Sequence, residues 1–149
     1  MLPEGSKAPN FTLTSHTDAT VTLADFAGSP ILIYFYPKVD TPGCTKEACT
    51  ITELYDEFQK SGIVVLGISK DNPESHRAFR EKYHLPFTLL SDPDESVIDQ
   101  YCAKGLLGTK RISYLINPDG IILKSYPNVD PATHAYEILK DTKNFIPNL

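Results

Sequence analysis

The chain reads as an α/β domain: a mixed central sheet, helices on both faces and an N-terminal β-hairpin. Three observations predict this. Two short, wholly apolar runs, Ile31–Tyr36 and Ile63–Ser69, have the character of strands buried on both faces. Between them lies a stretch with helical periodicity, so the two strands and their helix form a right-handed βαβ unit with parallel pairing. A later pair of apolar runs flanks Asn117-Pro-Asp-Gly120, a turn signal that folds the chain into an antiparallel hairpin.

Each element has its own local reason. Phe11-Thr-Leu-Thr and Val21-Thr-Leu alternate on either side of the polar segment 15–20, the pattern of a hairpin. The first helix is expected from Pro42 or Gly43 to Ser61, because Ile51, Leu54, Tyr55 and Phe58 recur at helical spacing and Gly62 is a C-terminal stop. Asp71-Asn-Pro-Glu opens a second helix with Pro73 in its first turn and Phe79 and Tyr83 inward. Thr88-Leu-Leu is a short strand, and Val97, Ile98 and Tyr101 mark a brief helix. Arg111–Ile116 and Ile121–Tyr126 are the hairpin strands. A last helix runs from Pro131 to about Lys143 with Ala135, Ile138 and Leu139 inward, and Asn144–Leu149 forms a docked or frayed tail.

The chain of 149 residues suits one domain spanning 1–149, and an apolar fraction of 41% is enough for a core. With 14 Lys and Arg against 19 Asp and Glu, the net charge of −5 lacks the footprint of a nucleic-acid binder. No apolar run approaches the ~20 residues needed to span a bilayer, and the N-terminus carries neither a signal core nor an Arg-rich presequence. These features lead to the expectation of a soluble, cytoplasmic protein. Three cysteines exclude a fully paired disulfide scaffold. His16, His76, His84 and His134 are scattered without metal-ligand spacing, so no metal is expected and each reads as a surface or locally hydrogen-bonded residue.

The segment that carries chemistry is Pro37-Lys-Val-Asp-Thr41-Pro-Gly-Cys44-Thr-Lys-Glu-Ala-Cys49. Ligands of α/β sheets gather at the carboxyl ends of strands, and Cys44 falls there, in the first turn of a helix. The partial positive charge and free N–H groups of a helix N-terminus favour a thiolate. A buried structural cysteine is the alternative. Cys49 follows five residues on, a helical rise of ~7.5 Å and a net rotation of about 140°. The Cα atoms then lie roughly 8–9 Å apart, beyond the ~7 Å reach of a disulfide. Cys44 faces the core and Cys49 turns towards solvent. A bridge between them requires the first turns of the helix to unwind, which makes the segment a potential two-state redox switch.

The run Tyr34-Phe-Tyr-Pro37, Thr41-Pro-Gly-Cys44 and Cys49 resembles the peroxiredoxin signature P-x-x-x-T-x-x-C, and more narrowly the bacterioferritin-comigratory-protein (PrxQ) subfamily with C-x₄-C on one helix. Lys7-Ala-Pro-Asn-Phe, Val65-Leu-Gly-Ile-Ser, Thr88-Leu-Leu-Ser-Asp and Arg111-Ile-Ser-Tyr-Leu-Ile-Asn-Pro-Asp-Gly agree, so the resemblance covers nearly the whole chain. It implies a thioredoxin-like fold and an antioxidant peroxidase that reduces hydrogen peroxide and organic hydroperoxides. It also implies Cys44 as the peroxidatic cysteine, passing through a sulfenic acid, and Cys49 as the resolving cysteine. Pro37, Thr41 and Arg111 match the rest of that family's active site, with Thr41, Cys44 and Arg111 on the substrate. A thioredoxin-like dithiol protein is the implied reductant, no cofactor is needed, and a monomer is expected.

Plainer roles stay open at this point. Thr41 can simply cap the helix, Pro37 end the strand, and Arg111 form a surface ion pair. Glu47 matches a recurrent family position and also suits the positive first turn of a helix. Cys102 has no assigned role and reads as a semi-buried spare. A redox sensor that oxidises once and stops is the rival function.

Overall fold

The computed structural model describes residues 1–146. Five strands form the centre and one flank of the sheet: β3 (Ile31–Phe35), β4 (Val64–Ser69), β5 (Thr88–Ser91), β8 (Ile112–Ile116) and β9 (Ile122–Tyr126). The hairpin β1 (Thr12–Ser15) and β2 (Thr20–Thr22) completes seven strands in the order β2-β1-β5-β4-β3-β8-β9. Pairs β3–β4 and β4–β5 are parallel, whereas β1–β5, β3–β8 and β8–β9 are antiparallel. The expected mixed sheet and both hairpins are therefore present. The turn before β9 forms as its chemistry requires: Asn117 Oδ1 accepts from the N–H groups of Asp119 and Ile121, and Gly120 takes a positive φ of 84°.

The pleat divides β3 into two faces. Ile31, Ile33 and Phe35 join Leu66, Ile68, Tyr101, Ile112 and Tyr114 on one side. Leu32, Tyr34 and Tyr36 join Ile51, Phe58, Phe79, Leu89 and Ile138 on the other. Helices α1 (Pro42–Glu53), α2 (Tyr55–Lys60), α3 (Pro73–Tyr83) and α5 (His134–Phe145) cover the second face. Helix α4 (Ser96–Gln100) and the N-terminal segment cover the first. Helices thus lie on both faces but in unequal numbers.

Several expectations need correction. The helix predicted over 42–61 is two helices, divided at Leu54 with φ −102° and ψ 10°. Thr50 and Thr52 turn their hydroxyls back onto the carbonyls of Lys46 and Ala48, a bond that bends helices. The Leu54 N–H is then shared between the carbonyls of Thr50 and Ile51. The predicted stop is correct: Gly62, at φ 70°, donates to Gln59 while Ile63 donates to Phe58. The last helix begins at His134 rather than Pro131, because Asp130 draws residues 132–134 into a turn. A small hairpin, β6 (Lys104–Gly105) with β7 (Gly108–Thr109), was not anticipated. The histidine expectation fails for His76, which is fully buried and bonded across the fold, and for His16, which is buried and accepts from Leu89; His134 is buried but bonded locally, to Glu137. Asn144 and Phe145, expected in the tail, belong to the last helix, and the tail beyond Ile146 lies outside the described residues.

Candidate active site

The carboxyl end of β3 delivers the chain into the loop 36–41 and then into α1. Thr41 occupies the position just before α1, with extended φ −93° and ψ 157°, and Pro42 follows in the first turn. The Thr41 hydroxyl does not cap the helix. It donates instead to the carbonyl of Lys38 at 2.8 Å, leaving the oxygen with lone pairs free to accept. Cys44 stands one turn in, with 2% of its surface exposed.

Arg111, the residue before β8, crosses from the neighbouring strand. Its Nη2 donates to Cys44 Sγ at 3.4 Å and its Nη1 donates to Glu47 Oε1 at 2.9 Å. The guanidinium fork thus spans a thiol and a carboxylate on one face of α1. Burial works against the Arg111 charge, but Cys44 and Glu47 outweigh it and hold the group above its ordinary value. Glu47 is buried at 1% exposure, and burial pushes its carboxyl up to about 7 against the pull of Arg111. Its second oxygen, Oε2, has no partner among the described residues. The surface ion pair considered for Arg111 is therefore a part-buried pair that joins the two ends of the site.

Gly43 is a residue that sequence reasoning missed. A Cβ at position 43 would lie 2.7 Å from Arg111 Nη2, so any other residue would push the guanidinium tip from its present place beside Cys44. The adjacent Pro-Gly in the sequence was the available signal. Tyr34 and Tyr36 stack beneath the site with centroids 5.4 Å apart, and burial drives both phenols well above their ordinary value.

Pro37 and Cys49 sit on opposite flanks. Pro37 is half-buried and lines an open groove of about 830 Å³ with the β6–β7 hairpin tip, Leu106 and Leu107. Cys49 is half-buried and lines a second groove, about 410 Å³, with Asp40, Thr41, Thr45 and Tyr83. Burial, with the Glu53 charge adding to it, raises the Cys49 thiol above its ordinary value. All three cysteines are free thiols, and Cys102 is half-buried away from this cluster at φ 62°. The structure therefore brings Cys44, Arg111 and Glu47 into contact, sets Thr41 at the head of the same helix, and leaves Pro37 and Cys49 at the margins.

Residues 5–125 match the AhpC/TSA family. A peroxiredoxin, bcp, of Coxiella burnetii is 43% identical over 91% of this chain and 95% of its own. The chain belongs to the peroxiredoxins. A chloroplastic peroxiredoxin Q of Triticum aestivum is 43% identical over 95% of this chain and 67% of its own. A solved structure of the bacterioferritin comigratory protein of Xanthomonas campestris, studied for alkyl peroxide reduction, superposes with a TM-score of 0.86. It is 32% identical and covers 90% of each chain. This peroxiredoxin has the thioredoxin-like fold of its family and is a thiol-dependent peroxidase. Among the described residues, no helix is long and apolar enough to cross a membrane.

Proposed function

We propose that Cys44 is the peroxidatic cysteine and Cys49 the resolving cysteine of one catalytic domain, 1–149. The observation that carries this reading is the Arg111 contact to a buried Cys44 Sγ at 3.4 Å in the first turn of α1. The thiolate attacks the terminal oxygen of a hydroperoxide and the O–O bond breaks. Cys44 becomes a sulfenic acid, and the leaving oxygen takes a proton to depart as water or an alcohol. Arg111 holds the thiolate and donates to the peroxide. The Cys44 N–H is a fixed donor at the helix start. The Thr41 oxygen accepts the peroxide O–H, and Pro37 walls the approach on one side.

Cys49 then attacks the sulfenic sulfur. An S–S bond forms and hydroxide leaves with the thiol proton as water. Helix geometry keeps the two residues too far apart to bond while α1 is intact, so the first turns unwind for this step. A protein dithiol of the thioredoxin type reopens the disulfide. The reading extends to a cytoplasmic monomer needing no metal or organic cofactor. The two sheet edges support the monomer: β2 has three residues, and β9 is paired at Ile122 with Gly5 and Ser6 of the N-terminal segment, so each offers little to pair with. The acidic balance supports the absence of a nucleic-acid partner.

The test is tryptic mapping of the reduced protein after one equivalent of hydrogen peroxide, followed by turnover with thioredoxin. The expected product is peptide Val39–Lys46 linked to Glu47–Lys60. Cys44→Ser should abolish peroxide consumption, and Cys49→Ser should leave Cys44 as a sulfenic or sulfinic acid. Protein that oxidises once and is not recycled would be the sensor instead. An unmodified Cys44 overturns the assignment.

A further inference from the structure

The loop that leads into α1 is gripped from outside the active site. Tyr83 and Lys82, the last two residues of α3, converge on one carboxylate in that loop. Tyr83 Oη donates to Asp40 Oδ1 at 2.6 Å, and Lys82 Nζ donates to Asp40 Oδ2 at 2.8 Å. One residue earlier, the N–H of Val39 donates to Asp71 Oδ2 at 3.0 Å. Asp40 itself is left-handed at φ 57°, a conformation open to Asp but uncommon for most side chains, and its carboxylate is held there from two sides. Asp40 immediately precedes Thr41, the residue just before α1. Its backbone therefore cannot change without moving the start of the helix that carries Cys44.

The same grip borders the resolving side. Tyr83 and Asp40 line the groove that receives Cys49, together with Thr41 and Thr45. We infer that Tyr83 and Lys82 are positioning residues for the peroxidase cycle: by clasping Asp40 they hold the wound, peroxide-ready form of α1 against the unwound form in which Cys49 reaches Cys44. This inference rests on Cys49 being the resolving residue. The clasp is half-exposed, with Lys82 58% and Asp40 44% accessible, so its contribution is small. Smallness suits the role, because the clasp must yield in every cycle. It opposes resolution, and the sulfenic acid consequently lingers. A second hydroperoxide then has time to convert Cys44–SOH to Cys44–SO₂H, releasing one more water or alcohol.

The experiment follows the two fates of Cys44 by quenched-flow mass spectrometry on the full chain, using hydrogen peroxide as the probe. Tyr83→Phe keeps the ring, which packs edge-on against Phe79 at 5.4 Å, and removes only the hydroxyl. Lys82→Met removes the other donor. Tyr83→Phe should raise the rate of Cys44–Cys49 linkage by about three- to tenfold, the value of one hydrogen bond. Lys82→Met should raise it by about two- to fivefold. Both should lower the sulfinic fraction at excess peroxide by matching factors. Lys60→Met removes an exposed ion pair of α2 and should change neither rate. A wild-type protein that never forms the link overturns the resolving assignment and this inference together. A wild-type link whose rate Tyr83→Phe leaves unchanged or slows overturns this inference alone.

Discussion

Two ionisable side chains, Glu47 and His76, are buried on the same face of the sheet, and their surroundings differ in kind. His76 bonds directly to neutral hydroxyls, with the Asp71 carboxylate one bond further on behind Ser69: its Nε2 lies 2.8 Å from Tyr36 Oη and 2.9 Å from Ser69 Oγ, and its Nδ1 lies 2.9 Å from Ser91 Oγ. Both ring nitrogens are matched while the ring stays neutral, and burial lowers its pKa to about 4. Among the described residues Glu47 has one cation, one matched oxygen and one unmatched oxygen, and its pKa is about 7. The polar group that ties three strand ends and α3 together is saturated with partners. The one beside the reacting sulfur is left incomplete and titrates near neutrality, as groups in working sites tend to.

The contrast has a measurable form in pH. Glu47 binds a proton more tightly folded than unfolded, since its carboxyl rises from 4.5 to about 7. Its stabilising contribution is full below pH 4.5 and is lost as pH rises through 7. His76 falls from 6.5 to about 4, so its contribution is full above 6.5 and is lost as pH drops through 4. Each shift corresponds to about 3 kcal/mol over its window. The two slopes oppose one another across the shared interval and largely cancel in the wild type.

The largest expected effect comes from breaking the saturated group. His76→Leu strands the hydroxyls of Tyr36 and Ser91 and should cost about 3 kcal/mol, seen as a fall in Tm of roughly 10 °C. Cys44 should still react with peroxide at low temperature. Glu47→Gln removes the opposing slope. Its Tm relative to wild type should climb as pH is raised from 5 to 8, and the variant alone should show stability increasing from pH 4.5 to 6.5. Without the carboxylate to orient Arg111, Cys44 oxidation should slow by about tenfold, equivalent to ~1.4 kcal/mol. A Glu47→Gln protein with an unchanged pH profile would mean that Glu47 does not set the slope. The smallest effects compare two serines. Ser91→Ala should cost about 1 kcal/mol in urea unfolding, while Ser113→Ala should be near neutral, because among the described residues the Ser113 hydroxyl has no partner to lose.

What the sequence disclosed follows from how far apart the interacting residues are. The strand and turn patterns are local, and so is the run from Pro37 to Cys49, which pointed to Cys44 and to its misfit with Cys49. Arg111 was reached through family resemblance, since nothing local says that it contacts a sulfur 67 residues away. Glu47 showed its residue type and helix position but not its burial, which depends on the same crossing of Arg111. His76, in a polar helical turn, gave no sign of meeting Tyr36 across the sheet. Asp40 with Tyr83 was equally silent, being an ordinary acid in a loop and a tyrosine otherwise assigned to a helix's inner face. The division at Leu54 was hidden for another reason: apolar periodicity runs through it undisturbed, and only the hydroxyls of Thr50 and Thr52 reveal it.

That division sets how far a disturbance of α1 can travel. Helix α2 does not inherit its first turn from α1 alone; it is closed at its far end by Gly62 and Ile63 and pinned by the buried Phe58. Should α1 unwind on oxidation, amide deuterium uptake would accelerate from Cys44 up to Glu53 and fall back to its resting level by Phe58. The oxidised protein would then carry its isotope label in a single short block, with the sheet beneath it still protonated.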